Sequence, residues 1–178
     1  MLRLQADDGA ALGKLMERWE DPVKRVIGRM VFNATEAEDL AQETFVRVWQ
    51  QRARFRPDAV VRPWIFSIAV NLARNRLRWW RRRPEVELDE WSEAQAAPGA
   101  AGSPRHGSAE LEGQERAAAV RDAIAALPVD LREALVLFEY EVMSQAEIAA
   151  AVGATPKAVE TRIHRAREKL RTALQRWM

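Results

Sequence analysis

Residues 144–171, SQAEIAAAVGATPKAVETRIHRAREKLR, decide the fold class. Ser144 followed three residues later by Glu147 is a capping box that opens a short helix. Gly153 can take the left-handed conformation that ends one. Thr155 then serves as N-cap, with Pro156 at the first helical position, where its missing N–H costs nothing. Val159, Ile163, Ala166 and Leu170 recur at intervals of three and four and form the inward stripe of a longer helix. A short helix, a glycine turn and a longer basic helix make a helix-turn-helix. Its second helix, about 10–12 Å across, fits the major groove of duplex DNA. On that helix Lys157, Glu160, Thr161, His164 and Arg165 face outward, and Arg162 and Arg167 flank them toward phosphate.

Upstream, the chain breaks at Leu127-Pro128. Asp130 with Glu133 suggests a further capping box, for a helix reaching about Val142. Glu139 and Glu141 make that helix acidic, so it is expected to face solvent or a protein. The C-terminal module begins near Gln114. Before it, Glu93 to Gly113 is rich in Ala, Gly, Pro and Ser and offers almost no large apolar anchor, which marks a linker.

The N-terminal half repeats the helical spacing and has no sustained period-two run. Thr35 and Glu38 form a third candidate capping box, opening a helix to about Arg52. Its buried stripe is Ala41, Phe45, Val48 and Trp49, and Asp39, Gln42, Glu43, Val46 and Gln50 lie opposite. The next helix starts near Pro63, turns Ile65, Ile68, Ala69 and Leu72 inward, and closes at Pro84. Asn71, Arg74, Asn75 and Arg78 share another of its faces, which runs into Trp79, Trp80, Arg81, Arg82 and Arg83. Asparagine amides can read base edges, arginines can hold phosphates, and tryptophan can stack on an unpaired base. Such a mixture suits opened DNA better than an intact duplex. For Trp79 and Trp80, each taken separately, packing into the core is at least as strong an expectation as base stacking, because tryptophan is highly buried on average. The fold class is therefore all-α: two small helical domains, residues 1–83 and 114–178, joined by a flexible acidic linker, residues 84–113.

A formal net charge of +2 conceals this division. Residues 1–61 are neutral, 62–83 carry seven arginines and no acid, 84–113 net −6, and 154–178 net +5. Two cationic segments separated by an acidic one point to a polyanion partner. With no cysteine and two histidines, the chain has no disulfide framework, thiolate metal site or cysteine nucleophile. No run approaches the ~18 apolar residues of a membrane span, and no signal-peptide pattern opens the chain, so a cytoplasmic protein without membrane insertion is expected.

Three blocks, in order, resemble the extracytoplasmic-function sigma factors of bacterial RNA polymerase. EAEDLAQETFVRVW (36–49) is similar to the family's segment that binds the β′ clamp helices of core polymerase. RPWIFSIAVNLARNRLRWWRRR (62–83) is similar to the region that recognises and melts the minus-ten element. LPVDLREALVLFEYEVMSQAEIAAAVGATPKAVETRIHRAREKLR (127–171) is similar to the region that reads the minus-thirty-five element. The resemblance implies that Asp39, Gln42, Glu43 and Arg47 meet core polymerase, whose β′ and β subunits are the expected partners. It implies that Asn71 and Asn75 hold flipped bases of the non-template strand, and that Thr161, His164, Arg165 and Arg167 touch the upstream element, with Arg165 suited to the O6 and N7 of a guanine. It further implies an anti-sigma partner, and neither cofactor, metal nor catalytic residue. Thirty linker residues give a coil of roughly 30 Å and reach about 100 Å when extended. The two promoter elements lie roughly 50–55 Å apart, so the polymerase is expected to stretch the linker.

Two other functions account for less of the chain. A stand-alone helix-turn-helix regulator leaves 36–49 and 62–83 without purpose. A nuclease or recombinase would need more convergent ligands than the carboxylate pairs Asp39/Glu43 or Glu139/Glu141 supply. Glu160 stands where the resemblance leads one to expect Lys or Arg; a carboxylate there can accept from a cytosine amino group but cannot hold phosphate. Binding-site selection with Glu160→Lys is expected to change the preferred upstream sequence, and an unchanged preference would refute a base-reading role for Glu160.

Overall fold

The three- and four-residue apolar spacings become helices throughout the computed structural model, which describes residues 1–83 and 108–177. In chain order these are α1 (Leu2–Gln5), α2 (Gly9–Val31), α3 (Ala34–Gln50), α4 (Val61–Arg82), α5 (Ser108–Ala125), α6 (Val129–Glu139), α7 (Gln145–Val152) and α8 (Pro156–Ala173). Short 3-10 turns cover Arg52–Arg54 and Gln175–Trp177, and no strand occurs among the described residues. The all-α class holds. Residues 84–107, most of the expected linker, lie outside the described residues, and α5 starts at Ser108, earlier than the expected Gln114.

Several helix starts follow the sequence and others depart from it. Ser144 and Glu147 form the full capping box: the Glu147 N–H donates to Ser144 Oγ at 3.2 Å, and the Ser144 N–H donates to Glu147 Oε2 at 2.9 Å. Gly153 ends α7 at φ 68°, and Thr155 Oγ1 accepts from the Ala158 N–H at 3.2 Å with Pro156 behind it. By contrast, α3 is capped by Asn33, whose side chain accepts from the Glu36 N–H at 2.9 Å, not by Thr35. Glu38 instead meets Lys24 at 2.8 Å. Helix α4 starts at Val61, two residues before Pro63, which the first turn tolerates because its N–H groups have no intrahelical acceptor. The Asp130/Glu133 box does not form: Pro128 is the N-cap of α6, and Glu133 is drawn into the interior by arginines.

The expected stripes are buried: Ala41, Phe45 and Val48 on α3, Ile65, Ile68, Ala69 and Leu72 on α4, and Val159, Ile163 and Ala166 on α8. Phe45 and Phe66 are fully enclosed, and each contributes roughly 1.5–3 kcal/mol by leaving water. Trp19 of α2 meets Phe66 edge-on at 6.2 Å. Trp49 and Leu170 end their stripes only half-buried.

The two halves do not stay apart. Helix α7 lies along α4, and α6 packs on α2. One apolar cluster runs from Ile27 and Met30 of α2 through Phe66 of α4 to Leu137 of α6 and Ile148 of α7. Polar groups line the same seam. Arg132 donates to the Met30 carbonyl and lies 5.4 Å from the Phe32 ring centre. Glu141 is buried rather than solvent-facing, 3.6 Å from Arg25, and Arg62 donates to its carbonyl. Arg29 sits 4.0 Å above the Tyr140 ring. Two residues flanking the seam take left-handed backbone angles that non-glycine residues seldom adopt: Phe32 at φ 57° and Val142 at φ 51°. Val142 is 81% exposed, while its neighbours Glu141 and Met143 both turn inward.

The hydrogen bonds from the Ser144 backbone, and then its hydroxyl, hold the Glu147 carboxyl below its usual range. That contribution is present above the ordinary carboxylate pKa and is lost as pH falls. Ser144→Ala is expected to lose about 1 kcal/mol in urea unfolding at neutral pH. The gap from wild type should narrow as acid protonates Glu147.

Candidate nucleic-acid interface

Helix α4 presents its polar stripe at one edge of the seam. Asn71 and Asn75 are exposed, and Asn71 Oδ1 accepts from Arg74 Nη1 at 3.2 Å. Arg78, Arg81, Arg82 and Arg83 continue outward with no carboxylate partner among the described residues. Asn75 and Trp79 also wall a groove of about 450 Å³ between α3 and α4, floored by Leu40 and Leu72 and edged by Glu43, Arg47 and Arg76. Its size falls within the roughly 300–1,000 Å³ typical of small-ligand pockets.

The paired tryptophans separate cleanly. Trp79 is 38% exposed, with Arg83 5.2 Å and Arg76 5.9 Å from its ring centre. Trp80 is 6% exposed and packs into the core. Its position was available in the pattern, since Ala73, another buried residue of α4, precedes it by seven residues, two full turns. Arg76, absent from the sequence-based set, is fixed by Glu36 of α3 at 2.8 Å, a cross-helix pair that no single-helix pattern reveals.

Arg74 does not point to solvent. It grips Glu133 of α6, with Nη2 2.9 Å from Oε1 and 2.8 Å from Oε2 and Nε 3.2 Å from Oε2. The Glu133 side chain is 1% exposed and also lies 3.5 Å from Arg162 of α8. Burial pushes the Glu133 carboxyl up from its usual range, while Arg74 and Arg162 pull against that shift. Glu141 is likewise raised by burial and opposed by Arg25 and Arg62.

On α8, Lys157, Glu160, Thr161, His164 and Arg165 are exposed, as expected of a reading face. Glu160 meets Lys157 at 2.9 Å, and the Thr161 hydroxyl donates to the Lys157 carbonyl at 2.9 Å. His164 lies 3.5 Å from Glu168. Arg165 has no polar partner among the described residues. Arg162 turns the other way, while Arg167 stays exposed and pairs sideways. Arg162 reaches Asp130 at 3.7 Å as well as Glu133, and Arg167 pairs with Glu139 at 2.6 Å while covering Phe138. Both clamp the outward helix onto α6.

The α3 face is flatter. Asp39 and Gln42 are exposed, Glu43 and Arg47 pair along the helix at 2.6 Å, and Val46 between them is 52% exposed. An apolar residue ringed by polar ones is the composition of a small protein contact. No group of three metal-ligating side chains occurs among the described residues, and none of their helices is long and apolar enough to cross a membrane.

Comparison with known proteins accounts for most of the chain. Residues 15–83 match the family model for sigma-70 region 2, and residues 117–170 match that for sigma-70 region 4. The RNA polymerase sigma-H factor of Pseudomonas aeruginosa is 36% identical over 97% of this chain and 91% of its own. The RNA polymerase sigma factor CarQ of Myxococcus xanthus is 38% identical over 94% and 92%. The ECF RNA polymerase sigma-E factor of Salmonella typhimurium is 31% identical over 97% and 91%. Among solved structures, CnrH in complex with the cytosolic domain of CnrY aligns with a TM-score of 0.70, at 29% identity, over 98% of this chain and 94% of that one.

The two tryptophans generate opposite expectations. Trp80→Ala should lower unfolding free energy by roughly 3–5 kcal/mol, whereas Trp79→Ala should leave it within about 1 kcal/mol. Chemical denaturation of the two variants side by side distinguishes them.

Proposed function

This chain belongs to the sigma-70 family, in its extracytoplasmic-function group, and directs initiation by bacterial RNA polymerase at promoter DNA; from that premise we propose how its surfaces divide the task. The α3 face of Asp39, Gln42, Glu43 and Arg47, with Val46 at its centre, docks on the β′ clamp helices. The edge of α4 captures the opened minus-ten element. Asn71 and Asn75 bond to base edges, Trp79 stacks on an extruded base, and Arg78 and Arg81 to Arg83 hold phosphates. Extruding a base costs a few kcal/mol, and stacking on an aromatic ring returns about 1–3 kcal/mol. Hydrogen bonds in the α3–α4 groove make up the difference. The outward face of α8 reads the minus-thirty-five element, with Arg165 on guanine and Lys157, Glu160, Thr161 and His164 beside it. Arg162 and Arg167 serve as positioning residues that fix the angle of this helix on α6.

The observation that carries this reading is the character of α4. One helix bears exposed amides, an exposed tryptophan and a run of arginines without carboxylate partners, which a reader of intact duplex has no use for. No covalent chemistry is assigned to the chain, and its place of work is the cytoplasm, with core polymerase. Its relative CnrH was solved with a partner's cytosolic domain bound, which supports an anti-sigma protein as the regulator here too.

Transcription from a promoter library with purified core polymerase tests the assignment. The wild-type chain is expected to select two elements. Arg165→Ala should relax one upstream position by about 1–3 kcal/mol, and the pair Asp39→Ala with Gln42→Ala should weaken core binding without altering stability. Failure of core polymerase to bind the chain or to initiate would overturn the reading.

A further inference from the structure

A groove of about 800 Å³ opens where α1, the start of α2 and the start of α4 meet α7, away from the surfaces assigned to polymerase and promoter. Its lining is of two kinds. Leu15 and Trp19 of α2 and Val61 of α4 supply half-buried apolar surface. Leu2 and Val60 carry that surface into solvent at 70% and 63% exposure, more than any other large apolar side chain described in the N-terminal half. Around them stand Arg3, Lys14, Arg18 and Arg62, against a single carboxylate, that of Glu147. Arg3 is matched by Asp8 at 2.6 Å. Lys14 and Arg18 have no carboxylate partner among the described residues, and Arg18 lies 5.2 Å from the Trp19 ring centre. Arg62 donates from Nη2 to the Glu141 carbonyl and stands 4.0 Å from Glu147 through Nη1, while its buried Nε has no acceptor among the described residues. A buried donor left without an acceptor is costly, and Glu147 Oε2 is already taken by Ser144.

We propose that this groove binds a small anionic amphiphile, of which a medium-chain alkyl carboxylate is the simplest member. Its chain lies on Leu15, Trp19 and Val61, and its head group meets Lys14, Arg18 and Arg62. The volume is that of a small-molecule pocket, and the pattern is also theirs: apolar walls with a few converging polar groups that fix orientation. Charge selects the head group, because four cations against one carboxylate favour an anion over a neutral or cationic one. Apolar area selects the body, because a bare inorganic anion would leave Leu2, Val60 and the groove floor facing water. The apolar surface lines a concavity, so one dissolved molecule covers it where the flat face of a bilayer cannot reach the floor. Arg62 gains an acceptor for its Nε in the same step, and a charge-assisted hydrogen bond is stronger than a neutral one. The site shares no residue with the promoter-reading surfaces and does not depend on them.

Isothermal titration of the full chain with sodium decanoate, kept below its micellar range, is expected to show one saturable site. Octanoate lacks two of the methylenes and should bind roughly 15-fold more weakly. Decanol keeps the chain and lacks the charge, and it should bind weaker than decanoate by roughly tenfold or more. Lys14→Glu with Arg18→Glu, both exposed positions, should abolish decanoate binding while leaving the helical circular dichroism signal unchanged. Lys169→Glu with Arg171→Glu makes the same change of charge on exposed positions of α8 and should leave decanoate binding intact. Leu2→Asp, at the apolar mouth, should weaken it. No saturable binding of decanoate, equal affinity for decanol, or equal loss in the α8 pair overturns the proposal. Two other occupants of the groove would overturn it as well. A second copy would show as a concentration-dependent dimer in sedimentation velocity that Leu2→Asp removes, and a lipid surface as retention on phosphatidylglycerol vesicles by a chain that does not bind dissolved decanoate.

Discussion

A carboxylate removed from water must be given cations, and the Glu133 side chain is 1% exposed. That requirement organises the molecule. The cations arrive from α4 and α8, so one side chain of α6 ties all three helices together. Apolar faces alone would let α7 slide along α4, because the hydrophobic effect has no direction. A two-pronged guanidinium contact has one geometry. Dehydrating the ions offsets most of their mutual attraction, so the pair contributes alignment more than net stability.

Local signals were readable because they are satisfied locally. The capping box at Ser144, the left-handed Gly153, the cap and proline at Thr155-Pro156 and the apolar stripes of α3, α4 and α8 all involve residues within a turn or two of each other. What escaped reading was everything decided at long range. Asp130 and Glu133 carry the spacing of a capping box, but Glu133 answers to an arginine 59 residues earlier in the chain. Glu141 looked like an acidic surface residue for the same reason, since Arg25 and Arg62 reach it from the other half. Thr35 lost its capping role to Asn33 because the chain reverses at Phe32, two residues earlier than expected. Of the candidate DNA-facing residues, those with outward register kept it, among them Asn75, Trp79 and Arg165. The exceptions were Trp80, whose register points inward, and Arg74 and Arg162, which found carboxylates on α6; Arg167 stays exposed but pairs with Glu139 there.

The charge pattern takes on a second meaning in three dimensions. Segment by segment, it separates a neutral region from two cationic ones. Across the seam, the arginine excess of residues 62–83 faces the net acidity of residues 114–153. The same asymmetry draws the halves to each other, through Arg74 on Glu133 and Arg25 and Arg62 at Glu141.

Phe32 and Val142 are strained where their own halves turn. Each holds a left-handed backbone angle, a conformation costing on the order of 1–3 kcal/mol that persists only where its surroundings impose it. Phe32 is the C-cap of α2, its N–H donating to the Gly28 carbonyl, and Val142 lies in the turn between α6 and α7 with its neighbours Glu141 and Met143 turned inward. Both angles are set by turns within one half, so a glycine at either position would relieve a backbone cost, at Phe32 with loss of the ring beneath Arg132.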